Sequence, residues 1–354
     1  MPLRQKEQHG GIVMKGGSRL VAMTLAAMVG FCGFAFGQTS VADFYRGKTV
    51  RILIGFGPGG SSSFYGEILA RYMGRYLPGN PTVITQHMPG AGGLTVANYV
   101  NSRSPRDGTE FAITSRNAVF EPLLGNKNAN FDALKFNWIG NANIENSICI
   151  SWHTAPVKQA SDLLTTEYIG GGTGSDSLEV SIPKVLNQIL GAKMKVITGY
   201  PSSVDILLAM EKGEVQGFCG IGWTYIKLRK AEWLATKKIN ILFQMALAKH
   251  ADLPDVPLAQ DLAKTPQDRA LIDFLLAPQD MGRPFFAPPE VPAERVAALR
   301  DAFAKTLKDP DFLREAEKAG VEVQLTSGED VQKLLERIHA SPRELVERAM
   351  AVLR

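Results

Sequence analysis

Several features that mark whole classes of protein are scarce or absent in these 354 residues. The five histidines are scattered, and the sequence has no HExxH motif, no CxxC motif and no pair with metal-ligand spacing. The Gly-x-Ser-x-Gly motif of many hydrolases is missing as well. We therefore expect no catalytic residue, no bound metal and no cofactor. A catalytic triad that assembles only in space stays open.

The chain also lacks a strong charge of one sign, because its formal net charge is only +4. Most of that surplus lies in residues 1–37, which hold four basic residues and one acidic residue. The remaining chain carries 35 basic and 34 acidic groups. Nucleic-acid-binding proteins usually present a basic face, so nucleic acid is not an expected partner.

Only one long apolar run occurs, and it stands near the N-terminus. The basic residues Lys15 and Arg19 precede the apolar residues 20–36, and small residues end the run. This pattern predicts a secretory signal peptide over residues 1–37. Translation could also start at Met14, because the signal needs nothing from the residues before it. The mature protein is then expected outside the cytoplasm. An uncleaved membrane anchor is the alternative.

Cysteine is rare too, and two cysteines follow the apolar run, Cys149 and Cys219. In an oxidising compartment these two residues could form a disulfide. They could equally be two small buried hydrophobic residues. Spacing along the sequence does not decide between the two alternatives.

The rest of the chain alternates strand and helix patterns, which predicts an α/β fold with mainly parallel sheets. Its length suits two domains. An extended stretch at 138–151 is a candidate crossover into the second domain, and 239–245 is a candidate crossover back. We predict one lobe from 44–148, a second from 149–240, and a return to the first with C-terminal helices over 241–354. The predicted strands and helices are the strands 49–54, 82–86, 110–114, 168–170, 194–198, 215–218 and 239–245, and the helices 62–77, 94–101, 176–190 and 204–211.

A glycine-rich loop stands between the first of these strands and the first helix, with the sequence GFGPGGSSS over residues 55–63. Glycine lets a backbone approach a ligand closely, and the start of the following helix presents unpaired N–H groups. The loop is therefore a candidate anion site. It has no Walker lysine, and its glycines are too closely spaced for a dinucleotide-binding loop. A single loop of this kind is also compatible with a tight turn that binds nothing.

The same arrangement recurs at Pro89–Gly93 and again at 170–177, in the other predicted lobe. Ligands of open α/β sheets bind at the carboxyl ends of strands, so these loops could surround one cleft. Arg116 could clamp a carboxylate or be a surface arginine. Tyr200 could contact the ligand or be a buried structural tyrosine. The candidate ligand-binding residues are Phe56, Gly57, Gly59, Gly60, Ser61, Ser62, Ser63, Gly90, Ala91, Gly92, Ser115, Arg116, Asn117, Gly172, Thr173, Gly174, Ser175 and Tyr200.

At these loops the sequence resembles the Bug-type, tricarboxylate-binding-receptor family, the periplasmic receptors of tripartite tricarboxylate transporters. The resemblance runs from about Phe44 to Arg354, and seven segments occur in the family's order. They are VRILIGFGPGGSSS, MPGAGGLTVANYV, SPRDGTEFAIT, GGGTGSDS, VITGYPSSVDILLAMEKGEVQGFCG, LPDVPLAQDL and RPFFAPPEVPAERVAALRDAF.

This resemblance implies a type II periplasmic-binding fold, with two Rossmann-like lobes around a hinged cleft. It implies a receptor that binds a small carboxylate and delivers it to membrane subunits of a tripartite transporter, and we expect this receptor to be a monomer. The family's ligand carboxylate is held at positions that match 57–63 and 172–175 here. An exported α/β enzyme such as a hydrolase, and a sensory partner that presents its ligand, are the alternatives.

The sequence departs from the family's pattern at two places. Gly57 stands where the family's first loop commonly has a proline. Ser63 stands at or beside the position where that loop commonly has an aspartate. Cys219-Gly220 stands where many members have Phe-Asp. Both changes remove acidic groups near the expected cleft, which favours a plain carboxylate over a ligand that bears an amine.

Overall fold

The computed structural model describes residues 40–59, 61–144, 146–173 and 177–353. The predicted signal peptide lies outside the described residues. The chain from Thr39 onward forms one compact unit. Among the described residues, no helix combines the length and the apolar character that a membrane span needs.

The described residues form two sheets. The first has the strand order β11-β4-β10-β3-β1-β2, and the second has the order β7-β6-β8-β5-β9. The strands are β1 (Thr49–Ile54), β2 (Thr82–His87), β3 (Glu110–Ile113), β4 (Asn137–Asn141), β5 (Ser147–Trp152), β6 (Tyr168–Gly172), β7 (Met194–Thr198), β8 (Gly217–Gly222), β9 (Ile239–Met245), β10 (Pro284–Ala287) and β11 (Thr326–Ser327).

Helices cover both faces of each sheet, as apolar strands buried on both sides require. In the first sheet, α2, α9 and α10 pack on one face, while α3 and α11 pack on the other. In the second, α4, α8 and α12 pack opposite α5, α6 and α7. The α-helices are α1 (Val41–Tyr45), α2 (Ser61–Met73), α3 (Leu94–Ser102), α4 (Leu178–Leu190), α5 (Ser203–Lys212), α6 (Trp223–Arg229), α7 (Ala231–Ala235), α8 (Pro266–Leu276), α9 (Ala293–Thr306), α10 (Pro310–Ala319), α11 (Gly328–His339) and α12 (Arg343–Leu353).

The predicted α/β fold class is confirmed, but the expectation of mainly parallel sheets is wrong. In the first sheet β1 is parallel to β2 and β3, whereas β10 is antiparallel to both β3 and β4. In the second, β6 is parallel to β7 and β8, whereas β5 is antiparallel to β8 and β9. Two of the antiparallel strands, β5 and β10, are those with which the chain enters one sheet from the other, and each runs against both of its neighbours.

Most predicted strand positions are confirmed, because the apolar runs end at glycine or polar residues. The predicted extended stretch at 138–151 is two strands, β4 and β5, one in each sheet. The strand β9 and the helices α8 and α12 lie with the second sheet. The division into two lobes stays a prediction.

The carboxyl edges of the two sheets lie next to each other where the chain passes from β4 to β5. Strand β4 runs in the direction of β1, because β10 is antiparallel to both β3 and β4. Its last residue therefore lies at the edge where β1, β2 and β3 also end. The next strand starts at Ser147, directly opposite Gly222 at the end of β8. The loops that follow the parallel strands of both sheets thus extend from facing edges.

A disulfide joins Cys149 of β5 to Cys219 of β8, two residues that lie opposite each other in the antiparallel pair. Both cysteines are buried in the core between the second sheet and α4. The hydroxyl of Tyr168 lies 3.8 Å from one sulfur and 3.5 Å from the other. Burial raises the pKa of this hydroxyl, which stays neutral and donates to the carbonyl of Ile150 at 2.9 Å. Of the two alternatives that the sequence left open, the structure has the disulfide.

We expect reduction of this disulfide to lower the free energy of unfolding by about 2–4 kcal/mol, because the bond closes a long loop in the unfolded chain. The two cysteines are 70 residues apart. Urea unfolding with and without reductant measures the effect. As a control, reductant should not change the unfolding of a Cys149→Ala/Cys219→Ala variant. Coincident curves for the oxidised and reduced wild type would contradict the expectation.

Candidate functional site

The first glycine-rich loop presents bare backbone at the carboxyl end of β1. Gly57 and Gly59 are exposed, and a Cβ atom at either position would meet nothing within 4 Å. Gly59 has a φ of +88°, which glycine adopts without the strain other residues would suffer. The helix α2 begins at Ser61, and its first turn contains no acidic residue. Its positive end is therefore not neutralised from within the helix, which favours an anion there.

Three loops at this edge are fastened to one another by hydrogen bonds. The amide of Gly55 donates to the carbonyl of Ile113 at 3.0 Å. The hydroxyl of Thr114 donates to the carbonyl of Gly93 at 2.9 Å. At Gly93 (φ +100°) a Cβ atom would lie 2.4 Å from that same hydroxyl oxygen, so only glycine lets the loops approach this closely. The structure thus brings the ends of β1, β2 and β3 into one rigid group.

A cluster of three side chains supports the first loop through contacts with one another and with the backbone of Phe56. The cluster consists of Ser63, Glu67 and His87. The buried hydroxyl of Ser63 donates to Oε1 of Glu67 at 2.5 Å. The same carboxylate oxygen lies 3.5 Å from Nε2 of His87. The other ring nitrogen of His87 lies 2.9 Å from the carbonyl oxygen of Phe56. The Ser63 hydroxyl therefore serves the loop's support, and the sequence pattern gave no sign of this cluster.

The next two loops of the first sheet are also open to solvent. Gly90, Ala91 and Gly92 are exposed, and all three have positive φ angles. After β3, Ser115 accepts a hydrogen bond from the amide of Asn117 at 3.2 Å, and Arg116 is partly buried beside it.

The second sheet contributes a separate group at its own carboxyl edge. Gly172 is buried at the end of β6, and Thr173 is partly buried next to it. The amide of Tyr200, in the loop after β7, donates to the carbonyl of Gly172 at 3.4 Å. The structure therefore brings Tyr200 beside the loop after β6. Gly60, Gly174 and Ser175 lie outside the described residues, as do the side chains of Ser61 and Ser62.

The structure adds residues at these edges that the candidate set did not include. Glu322, between α10 and β11, accepts at its carbonyl oxygen from the hydroxyl of Tyr65 on α2 and from Asn143. Its carboxylate accepts at 2.5 Å from the hydroxyl of Thr224 on α6, the helix that follows β8 of the second sheet. Glu322 thus bridges the two sheets. Only the tertiary fold reveals this role, because its contacts are distant in sequence.

Arg283, just before β10, also lies at this edge. Its backbone amide donates to the side chain of Asn141 at 2.8 Å, and its guanidinium lies 5.4 Å from the ring centroid of Tyr65. Such a cation–aromatic contact fixes the guanidinium over α2. The segment RPFFAPPE that contains Arg283 belongs to the family resemblance, but position alone gave no hint of this contact.

No group of three or more histidine, cysteine, aspartate or glutamate residues in the described part of the chain has a geometry that could hold a metal ion. The groups that the first sheet presents to a ligand are backbone N–H groups beside the start of α2.

No family model matches the chain, and no curated protein matches it. Solved structures do match over most of its length. A TctC solute-binding protein from Polaromonas is 17% identical, with a TM-score of 0.66 over 86% of this chain and 99% of the other. An R. palustris protein with adipate is 18% identical, with a TM-score of 0.60 over 86% and 97%. MatC from Rhodopseudomonas palustris with bound malate is 19% identical, with a TM-score of 0.56 over 87% and 99%.

These likenesses define the fold. The chain has the fold of the periplasmic solute-binding proteins of the TctC type, as the sequence resemblance implied. At this level of identity they leave the ligand of this chain to be argued from its own residues.

We expect Ser63→Ala to lower the free energy of unfolding by about 1–2 kcal/mol, because a hydrogen bond to a carboxylate is lost in a buried place. A double-mutant cycle with Glu67→Ala tests the partner. In the Glu67→Ala background, Ser63→Ala should cost much less than in the wild type. Equal costs in both backgrounds would show that the hydroxyl does not act through Glu67.

Proposed function

We propose that the protein is an extracytoplasmic receptor for a small organic acid. The observation that carries this proposal is the first loop, where exposed glycine backbone at Gly57 and Gly59 leads into a helix whose first turn has no acid. Such a loop supplies charge-assisted hydrogen bonds that offset the desolvation of a carboxylate. The adjoining loops at Gly90–Gly92 and Ser115–Asn117 lie in the same rigid group.

Two of the similar structures were solved with carboxylates, adipate in one and malate in the other. These ligands differ in length and in substituents but share carboxylate groups. This supports a carboxylate as the ligand of the present chain and leaves the rest of the ligand to residues that differ between the proteins.

The proposed mechanism is binding followed by closure. The ligand enters between the carboxyl edges of the two sheets, the two sides close around it, and the contact between Glu322 and Thr224 marks where they meet. The closed monomer then docks on membrane subunits of a tripartite transporter. The predicted signal peptide would place it in the periplasm. We propose binding and not turnover, since the first loop, as far as the structure describes it, presents backbone donors and no activated nucleophile.

A thermal-shift screen of mono-, di-, tri- and aromatic carboxylates tests the proposal. A ligand present at 100 times its dissociation constant should add about 2.7 kcal/mol to the free energy of unfolding. Unchanged melting temperatures with every organic acid would overturn the carboxylate proposal. Chromatography of the recovered ligand distinguishes binding from turnover, because an enzyme would return a changed molecule.

For the acid that binds, we expect Ser61→Ala and Ser175→Ala each to weaken binding by about 0.5–2 kcal/mol, because each variant removes one hydroxyl donor. Isothermal calorimetry measures the effect. Ser327→Ala, which alters the N-cap of α11, is the matched control and should change stability without changing affinity. Unchanged affinity in both loop variants would exclude these hydroxyls from the site.

A further inference from the structure

The end of β8 contains a bulge at Gly220. Ile221 lies opposite Ile148, and Cys219 lies opposite Cys149, so Gly220 has no partner on β5. Its φ of +129° is one that side-chain-bearing residues rarely adopt. Bulges of this kind often redirect neighbouring groups beside functional sites. This bulge stands at the carboxyl edge of the second sheet, beside the start of α4.

The space that a side chain would occupy at Gly220 is filled by Glu179. A Cβ atom built on Gly220 would lie 2.9 Å from Cγ and 3.5 Å from Cδ of Glu179. The glutamate side chain therefore runs through the space that any residue larger than glycine would need at position 220. The acidic group that is absent from position 220 has a counterpart nearby in the carboxylate of Glu179, which belongs to α4.

The carboxylate of Glu179 lies beside Thr173, the first residue after β6. Its Oε2 accepts a long and weak hydrogen bond from the hydroxyl of Thr173, at 3.5 Å. In the part of the chain that the structure describes, no lysine, arginine or histidine forms an ion pair with it. Glu179 is partly buried and keeps most of its capacity to accept hydrogen bonds.

Because of Glu179, the N-terminal ends of α2 and α4, which lie at the facing edges of the two sheets, differ in charge. The first turn of α4 contains this acid, whereas the first turn of α2 contains none. A carboxylate of the ligand is favoured at α2, and at α4 it meets a like charge. A hydroxyl or an ammonium group meets an acceptor at α4. The two sides of the cleft thus select different ends of one ligand.

We propose that Glu179 is a specificity-determining residue that selects acids bearing a hydroxyl or ammonium group close to a carboxylate. The proposal rests on the receptor function proposed above and names the class of its ligand. It replaces the sequence-based preference for a plain carboxylate, because that preference rested on the loss of acidic groups. The ligand's carboxylate binds at the first loop, and its hydrogen-bond donor binds Glu179.

Isothermal calorimetry with matched ligands tests this assignment. Succinate, malate and aspartate differ only in one substituent, as do tricarballylate and citrate. For at least one series we expect the donor-bearing acid to bind wild type about tenfold more tightly or better, since a hydrogen bond to a charged group is at stake. Glu179→Gln should reduce that ratio to about threefold or less and leave the plain acid bound equally well or better.

Glu294→Gln is the matched control, because Glu294 holds the same position in the first turn of α9 and is exposed at the opposite edge of the first sheet. It should leave every affinity unchanged. If Glu179→Gln weakens plain and donor-bearing acids equally, or if wild type binds carboxylates without preferring donors, the role of Glu179 is overturned while the receptor function stands. If wild type binds no carboxylate, both proposals fail.

Discussion

The buried side-chain amide of Asn141 fixes the backbone at the end of β4, and the rest of the site depends on the position of this strand end. It lies at the end of β4, donates to the carbonyl oxygens of Asn143 at 2.8 Å and Asp280 at 3.2 Å, and accepts from the amide of Arg283 at 2.8 Å. Because the side chain is fully buried, losing any of these partners would leave a desolvated polar group. The amide thus fixes where the chain leaves the first sheet, and with it which edges of the two sheets face each other.

The two edges that meet there are built differently. In the first sheet, hydrogen bonds and close glycine contacts tie the loops after β1, β2 and β3 together, so the backbone proposed to bind the carboxylate is preorganised and would lose little entropy on binding. In the second sheet, Gly172 at the end of β6 is tied to Tyr200 by a backbone hydrogen bond, and the carboxylate of Glu179 accepts from the hydroxyl of Thr173. A rigid backbone half suits a group that every ligand of the class shares, and a side-chain half suits the group that distinguishes one ligand from another.

The sequence predicts the alternation of strands and helices and the glycine-rich loops well, because strand ends, glycine and helix starts are local signals. It does not predict the antiparallel strands β10 and β11, since their partners are distant in sequence. The support of Phe56 by His87, and the bridge from Glu322 to Thr224, escape prediction for the same reason. The disulfide between Cys149 and Cys219 depends on strand register, which spacing alone does not determine.

The position of Glu179 shows why a residue missing from a motif is weak evidence about charge. In the sequence, Gly220 stands where many members of the family have an aspartate, so an acidic group is missing at this position. In the fold, the missing side chain makes room for a carboxylate from the neighbouring helix, so the charge at the edge is retained while its origin changes. The longer glutamate side chain starts from α4 and not from the sheet, so it presents its oxygens from another direction. Ligand preference in such a site follows the position of the charge in space, and substitutions at Gly220 and Glu179 are therefore expected to be coupled.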